Sequence, residues 1–376
     1  MPSFTGTRVS SHSDSRHRRL KLRLNQLLGL SLLTVLMALA LSGCSPFYVL
    51  RAAYEEGKIL WRREPITEFM LKPDVGPDIQ EKLKLVLSVR EYARDVLKLN
   101  VGGSYSSYSY VDRPDLTYIL TAAPQTELRP YTWWFLIVGR VPYKGYFSKE
   151  DADAAAEHFH RQGYDTNIRT SAAFSTLGWF DDPLLSHLLR YDKVTLAEIV
   201  FHELFHNTLY VKGAGQFNES VANFVGGRAA IDFFRARFGA GSAEHQRAVE
   251  AWQEELEFAE FIAQLANSLT ELYGKEISLE DKLRWREEIF GRAKKAWDER
   301  VAARPAHRFR AVTRQPLNNA VMIHYLLYFS NLKLFDALYE AEGGDLARVI
   351  DLMREAVPKG DEPFATVGGL LTRTPN

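Results

Sequence analysis

Cysteine is almost missing from this chain: Cys44 is the single one among 376 residues, so no disulfide framework staples the fold. An excess of either charge is missing as well. Lysine and arginine number 47, as do aspartate and glutamate, and without a basic surplus nucleic acid is not the expected partner. No internal repeat or low-complexity linker is present. With 46% hydrophobic and 25% charged residues the composition is globular, which excludes a disordered, collagen-like or polytopic membrane chain. The length allows one large or two moderate domains.

Neutrality is an average over two unlike pieces. Residues 1–43 carry Arg8, Arg16, Arg18, Arg19, Lys21 and Arg23 against Asp14, which leaves 41 basic against 46 acidic residues for the remainder. After that basic cluster comes the apolar run 27–40, and then Leu41, Ser42, Gly43 and Cys44. This is the order of a signal peptide. The run is shorter than the roughly 20 residues that cross a bilayer as a helix, so a permanent membrane span is the weaker reading. The tetrapeptide ending at Cys44 resembles the bacterial lipobox, in which the thiol is acylated and the cysteine becomes the mature N-terminus. A buried thiol closing a hydrophobic segment is the alternative. On this reading 1–43 is removed and Cys44 carries the lipid that meets the membrane. Ser45, by the same resemblance, implies the periplasmic face of the outer membrane in preference to the inner membrane.

Along the mature chain, 46–65 reads as a short helix and exit ended by Pro65. Residues 79–99 place Leu83, Val86, Tyr92 and Val96 at helical spacing. The section 104–168 is strand-rich, with β-branched and aromatic runs at 115–122 and 132–139, and 141–147 as a returning hairpin strand. Residues 151–163 form an alanine-rich helix closed by Gly163, and 165–173 returns to extended structure. A helix over 195–211 begins with Thr195 and Glu198 at capping-box spacing. Further on, 243–272 and 278–303 are charged helical patterns separated at Gly274. Phe258, Ile262, Leu265, Leu269 and Leu272 form a seam, so the pair reads as an antiparallel helical arm, either packed on itself or offered to a protein partner. A last aromatic-rich helix covers 317–340.

The chemistry concentrates in the helix that starts at Thr195. His202, Glu203, Leu204, Phe205 and His206 form an HExxH pattern, and two histidines four apart project from one helix face, as a tetrahedral zinc ion requires. Glu203 lies about 100° round from His202, close to the metal without being a ligand, where it can take a proton from a water and pass it to a leaving amine. A turn over 207–216 precedes a second helix expected to begin near Asn218, with Glu219 in its first turn. Glu219 can return to the metal as third ligand, leaving an open position for water; alternatively it complements the helix dipole. Asn223, one turn on, could orient a ligand histidine or be a surface asparagine. The other histidines, among them His158, His160 and His307, lack a partner at metal spacing.

These residues resemble a known family. The 202–210 segment HELFHNTLY followed by FNESVANFV looks like the gluzincin branch of zincin metallopeptidases, with its N-E-x-x-A third-ligand motif. The lipobox, AAYEEGKILWRREPI, VPYKGYF, FSTLGWFDDPLL and LNNA extend a resemblance to predicted bacterial aminopeptidase lipoproteins over most of the mature chain. The resemblance implies an α+β, zincin-like fold holding one Zn2+ per chain at His202, His206 and Glu219, with Glu203 as general base and acid acting on a peptide substrate. No G-x-M-E-N amine-anchoring motif is present. In this clan a tyrosine or histidine donates to the oxyanion, and Tyr328, next to His324 and Tyr325 and following LNNA, is the candidate; an aromatic core helix is its alternative. Asp181 and Asp182 are candidates for holding a substrate ammonium group, or turn formers.

The expected organisation is signal peptide 1–43, N-terminal and zinc-binding region 44–240, helical arm 241–305 and a C-terminal helical region 306–376 completing the catalytic domain. The expected activity is that of a lipid-anchored zinc aminopeptidase. A periplasmic endopeptidase would share every metal residue, and a non-catalytic envelope lipoprotein working through the arm would need none.

Overall fold

The computed structural model describes residues 57–112, 117–135, 139–171 and 181–372. The signal peptide, Cys44 and residues 174–180 of the FSTLGWFDDPLL segment lie outside them. The chain divides into units 1–58 and 59–376, and the architecture that follows is that of the second. It is mixed α+β, rich in helix, with small sheets. Among the described residues no helix is long and apolar enough to cross a membrane.

The strands are short. Glu64–Pro65 (β1), Ser107–Ser109 (β2) and Leu184–Leu185 (β8) make one sheet in the order β1-β2-β8. A second sheet has the eight-residue strand Thr117–Pro124 (β3) at its centre, between Lys144–Tyr146 (β6) and Tyr164–Ser171 (β7), all antiparallel. Trp133–Phe135 (β4) and Gly139–Val141 (β5) form a separate hairpin. The expected returning strand over 141–147 is therefore two pieces: β5 closes the hairpin, and β6 crosses to β3.

The helix Pro77–Asp95 (α1) starts on Pro77 at its first turn and buries Leu83, Val86, Val89 and Ala93, while Val96 lies exposed just past its end. Lys149–His160 (α2) is capped by Ser148 and followed by Gly163 at φ 77°, the left-handed turn that returns the chain to β7. The centre of the molecule is Lys193–His206 (α3) against Gly215–Phe238 (α4). Val194, Leu196, Ala197, Val200, Phe201, Leu204 and Phe205 of α3 are buried around most of its circumference, as expected of a helix apolar on nearly every side.

The cap of α3 differs from expectation. Asp192 is the N-cap: its carboxylate accepts from the backbone N–H of Val194 at 2.9 Å and of Thr195 at 3.1 Å, and from the Thr195 hydroxyl at 2.7 Å. Glu198, the other half of the expected capping box, is buried and pairs with Arg308 at 3.0 Å. The box fails because a guanidinium 110 residues away captures the glutamate.

Ala243–Tyr273 (α5) and Leu279–Val301 (α6) form the helical pair. Phe258 meets Trp297, and Glu257 meets Arg300, while Lys275 lies over Trp285, so the helices run antiparallel. They do not stand away from the body. Ala248, Ala251, Trp252 and Ala259 of α5 join the main core, and its seam packs on Val321 and Met322 of Asn319–Phe329 (α7). A buried polar junction ties the pair to the sheet: Arg286 pairs with Asp165 at 2.8 Å and donates to Gln125 O, Asn319 N donates to Asp165, and Tyr273 donates to Asn319. The expected single helix over 317–340 is split, because Ser330 and Asn331, the latter at φ 54°, separate α7 from Leu332–Ala341 (α8). Leu346–Ala356 (α9) and Pro363–Leu371 (α10) complete the chain.

Candidate metal centre

His202 and His206 lie one turn apart on α3, and α4 brings Glu219 to them. Helix α4 begins at Gly215, earlier than expected, so Glu219 sits in its second turn. Its neighbours fix it there. Asn218 is buried, donating to Val211 O at 2.8 Å and accepting from Val211 N at 2.9 Å, which fastens the loop joining the two helices. Ser220 donates to Leu327 O at 3.1 Å and accepts from Ser330 N, which fastens the end of α7. Glu219 faces His202 and His206, whereas Gly226 faces Glu198, so α4 runs opposite to α3. At that crossing there is no room for a side chain: a Cβ on Gly226 would lie 2.8 Å from the Glu198 carbonyl oxygen.

Three donor atoms converge. His202 Nε2 is 3.2 Å from His206 Nε2 and 3.3 Å from Glu219 Oε2, and His206 Nε2 is 3.8 Å from the same oxygen. Among the described residues this is the group able to hold a metal ion, with all three atoms within 4.8 Å of one another. Ligands at the usual zinc distances of about 2.0–2.1 Å stand about 3.3 Å apart around a tetrahedron, so the triangle fits one such ion with a fourth position free. The donor chemistry agrees, since two imidazoles and one carboxylate form an open catalytic set.

Burial dominates the electrostatics. It pulls the His206 imidazolium down to about 4, against the opposing charge of Glu219, so His206 presents a neutral ring. Burial also pulls on His202, but its hydrogen bonds to Glu219 and Asn223 and the charges of Glu203 and Glu219 outweigh it and raise the group. Burial would raise Glu219, yet its contacts with the two histidines hold it below its ordinary value. Glu203 is pushed up to about 7, by burial first and then by Glu219 and Asp182, with His202 opposing. A carboxyl poised there can exchange a proton near neutral pH.

The remaining candidates separate. Asn223 bonds to His202 and donates to Tyr328 O at 3.2 Å, joining a histidine of the triad to α7. The Tyr328 ring stacks at 6.3 Å on that of His202, and burial raises its hydroxyl far above the ordinary value, keeping it a proton donor. Tyr325 turns the other way, into the helical pair against Phe258. Asp181 accepts from Gly103 N at 2.7 Å and serves a turn. Asp182 is 5% exposed and its charge acts on Glu203, so of the two aspartates it is the one beside the site. Arg169 on β7, Tyr143 and His324 also surround Tyr328 and Glu219, and Arg169 belongs to no sequence motif. No sequence spacing relates a strand arginine to helix α3; its place is set by the pairing of β7 with β3.

A family model described as "Putative aminopeptidase" matches residues 47–362, which covers α1 to α9, the strands and every candidate site residue except Cys44. No curated protein and no solved structure matches the chain.

Proposed function

The chain belongs to the putative aminopeptidase family, and from that premise we propose that it is a zinc-dependent peptidase of zincin type, anchored by a lipid on Cys44 at the bacterial cell envelope. The observation that carries the zinc assignment is the approach of His202, His206 and Glu219 donor atoms to within 3.2–3.8 Å of one another on two helices locked at Gly226.

The chemistry a bound zinc ion supplies in such a site is polarisation of a peptide carbonyl and acidification of water. Glu203, buried beside His202, takes a proton from the attacking water and returns it to the leaving amine. Tyr328, held by Asn223 on one side and Arg169 on the other, is placed to donate its hydroxyl hydrogen to the developing oxyanion. Asp182 is the group we assign to the substrate ammonium, which makes the reading aminopeptidase and not endopeptidase. Attachment to the outer membrane on its periplasmic face rests on the sequence around Cys44 and Ser45.

The test compares a peptide with its N-acetylated form, in the native enzyme and in Glu203→Gln. The expected result is cleavage of the free peptide alone, with a loss of about 100- to 10,000-fold in the variant at unchanged metal content. Equal cleavage of the acetylated peptide would make the enzyme an endopeptidase. Full activity in Glu203→Gln would remove Glu203 from the mechanism, and no cleavage by the native protein together with an unaltered cellular phenotype in Glu203→Gln would leave a non-catalytic lipoprotein.

A further inference from the structure

Beside the proposed metal site stands a guanidinium with no carboxylate in contact with it. Three other inward-facing arginines each meet one: Arg228 pairs with Asp336, Arg286 with Asp165, and Arg308 with Glu198 and Glu255. Arg169 differs. Among the described residues no carboxylate lies within 4.0 Å of it, its buried Nε has no hydrogen-bond partner, and its Nη2 reaches the Tyr328 hydroxyl at a long 3.4 Å. The guanidinium carbon sits 5.9 Å over the Tyr328 ring. Its charge acts on Glu219, Tyr143 and His324, and burial with that charge pulls the His324 imidazolium down to about 3, so His324 adds no second cation and no counter-ion.

A partly buried guanidinium with no contacting carboxylate gains by receiving an anion, because it has given up hydration and the groups in contact with it are neutral. The fold nevertheless spends several interactions on placing it. Arg169 is paired in register with Ile119 across β3 and β7, and β7 is tied through Asp165 to Arg286 and Asn319, the residue that opens the helix carrying Tyr328. Arginine and tyrosine are thus parts of one rigid corner next to Glu219. A planar guanidinium in that position matches a carboxylate through two parallel N–H bonds, which a lysine could not reproduce.

We propose that Arg169 is a specificity-determining residue that receives a carboxylate of the peptide substrate beside the metal site. The carboxylate comes from the C-terminus of a short peptide or from an acidic side chain, and the two sources share this chemistry. The inference rests on the peptidase reading for its location, but the site's preference for an anion does not depend on turnover.

The test uses the Glu203→Gln protein, which holds peptide without cutting it, and measures binding by calorimetry with zinc content recorded on the same samples. The ligands are trialanine, its C-terminal amide, and the amide of Ala-Glu-Ala. Trialanine is expected to bind about tenfold more tightly than its amide. Adding Arg169→Gln should abolish that difference, and Arg169→Lys, which keeps the charge without the fork, should retain part of it. Recovery of binding by the glutamate-bearing amide assigns the site to an acidic side chain, and no recovery assigns it to the C-terminus. Equal binding of the three ligands, no binding of any, or a preference that survives Arg169→Gln would overturn the proposal. A carboxylate preference in protein that takes up no zinc would sink the peptidase reading and leave Arg169 standing; zinc and hydrolysis without the preference would do the reverse.

Discussion

Gly226→Ala tests whether the closeness of α3 and α4 sets the proposed metal site. The added Cβ would lie 2.8 Å from the Glu198 carbonyl oxygen and 3.4 Å from His202 Cβ, and the first of these neighbours is backbone, which cannot swing aside. Reaching an ordinary contact near 3.4 Å requires the helices to part locally by about 0.6 Å. Glu219 lies two turns away on α4, and its distances to the histidines, 3.3 and 3.8 Å, leave no slack for a tetrahedral ion. Overpacking should cost about 1–3 kcal/mol, partly offset by the roughly 1 kcal/mol by which alanine favours a helix over glycine. Zinc affinity should fall about 10- to 100-fold, as when groups supporting a metal ligand are lost. Competition with a chromogenic chelator measures the affinity and a thermal melt the stability. A variant that folds and holds zinc as tightly as the native chain would refute the reasoning.

Three further substitutions probe the scaffold behind the site. Arg308→Met leaves Glu198 and Glu255 buried without their cation and should cost about 3–5 kcal/mol. The cost depends on pH with a definite sign. Burial raises Glu198 to about 7 even with Arg308 opposing, so the folded chain holds a proton that the unfolded chain would release. Stability on this account is complete below the ordinary carboxylate value near 4.5 and declines as the pH rises through about 7. The decline should steepen in the variant, and urea titrations at about pH 5 and about pH 8 would show it; equal cost at both values would contradict the assignment. Asp192→Ala removes both backbone cap bonds of α3 and should lower stability by about 1 kcal/mol, read in the same titrations, whereas Thr195→Val should cost less because Thr195 is not the cap.

The candidate triad was legible because its geometry is local. Two histidines four apart must share a helix face, and a glutamate after a short turn can come back to them. What escaped the sequence was set by distant partners. Thr195 and Glu198 have capping-box spacing, yet Arg308 takes the glutamate and Asp192 takes the helix end. The run 141–147 looks like one strand, but β5 and β6 answer to different neighbours. The seam of α5 was readable from its apolar spacing, while the second face, with Ala248, Ala251 and Trp252, is too mixed with charge to betray that it packs on the core. Tight packing makes Gly227 necessary there, since a Cβ would come within 2.4 Å of the Trp252 ring. Arg169 carries no motif; its isolation among tyrosines exists in three dimensions alone.

Metal content bears most directly on the central claim. Elemental analysis of purified, zinc-reconstituted protein should find about one zinc per chain, with the metal lost in His206→Ala and in Glu219→Ala while both variants stay folded. Folded native protein that takes up no specific metal, or variants that keep it, would contradict the account.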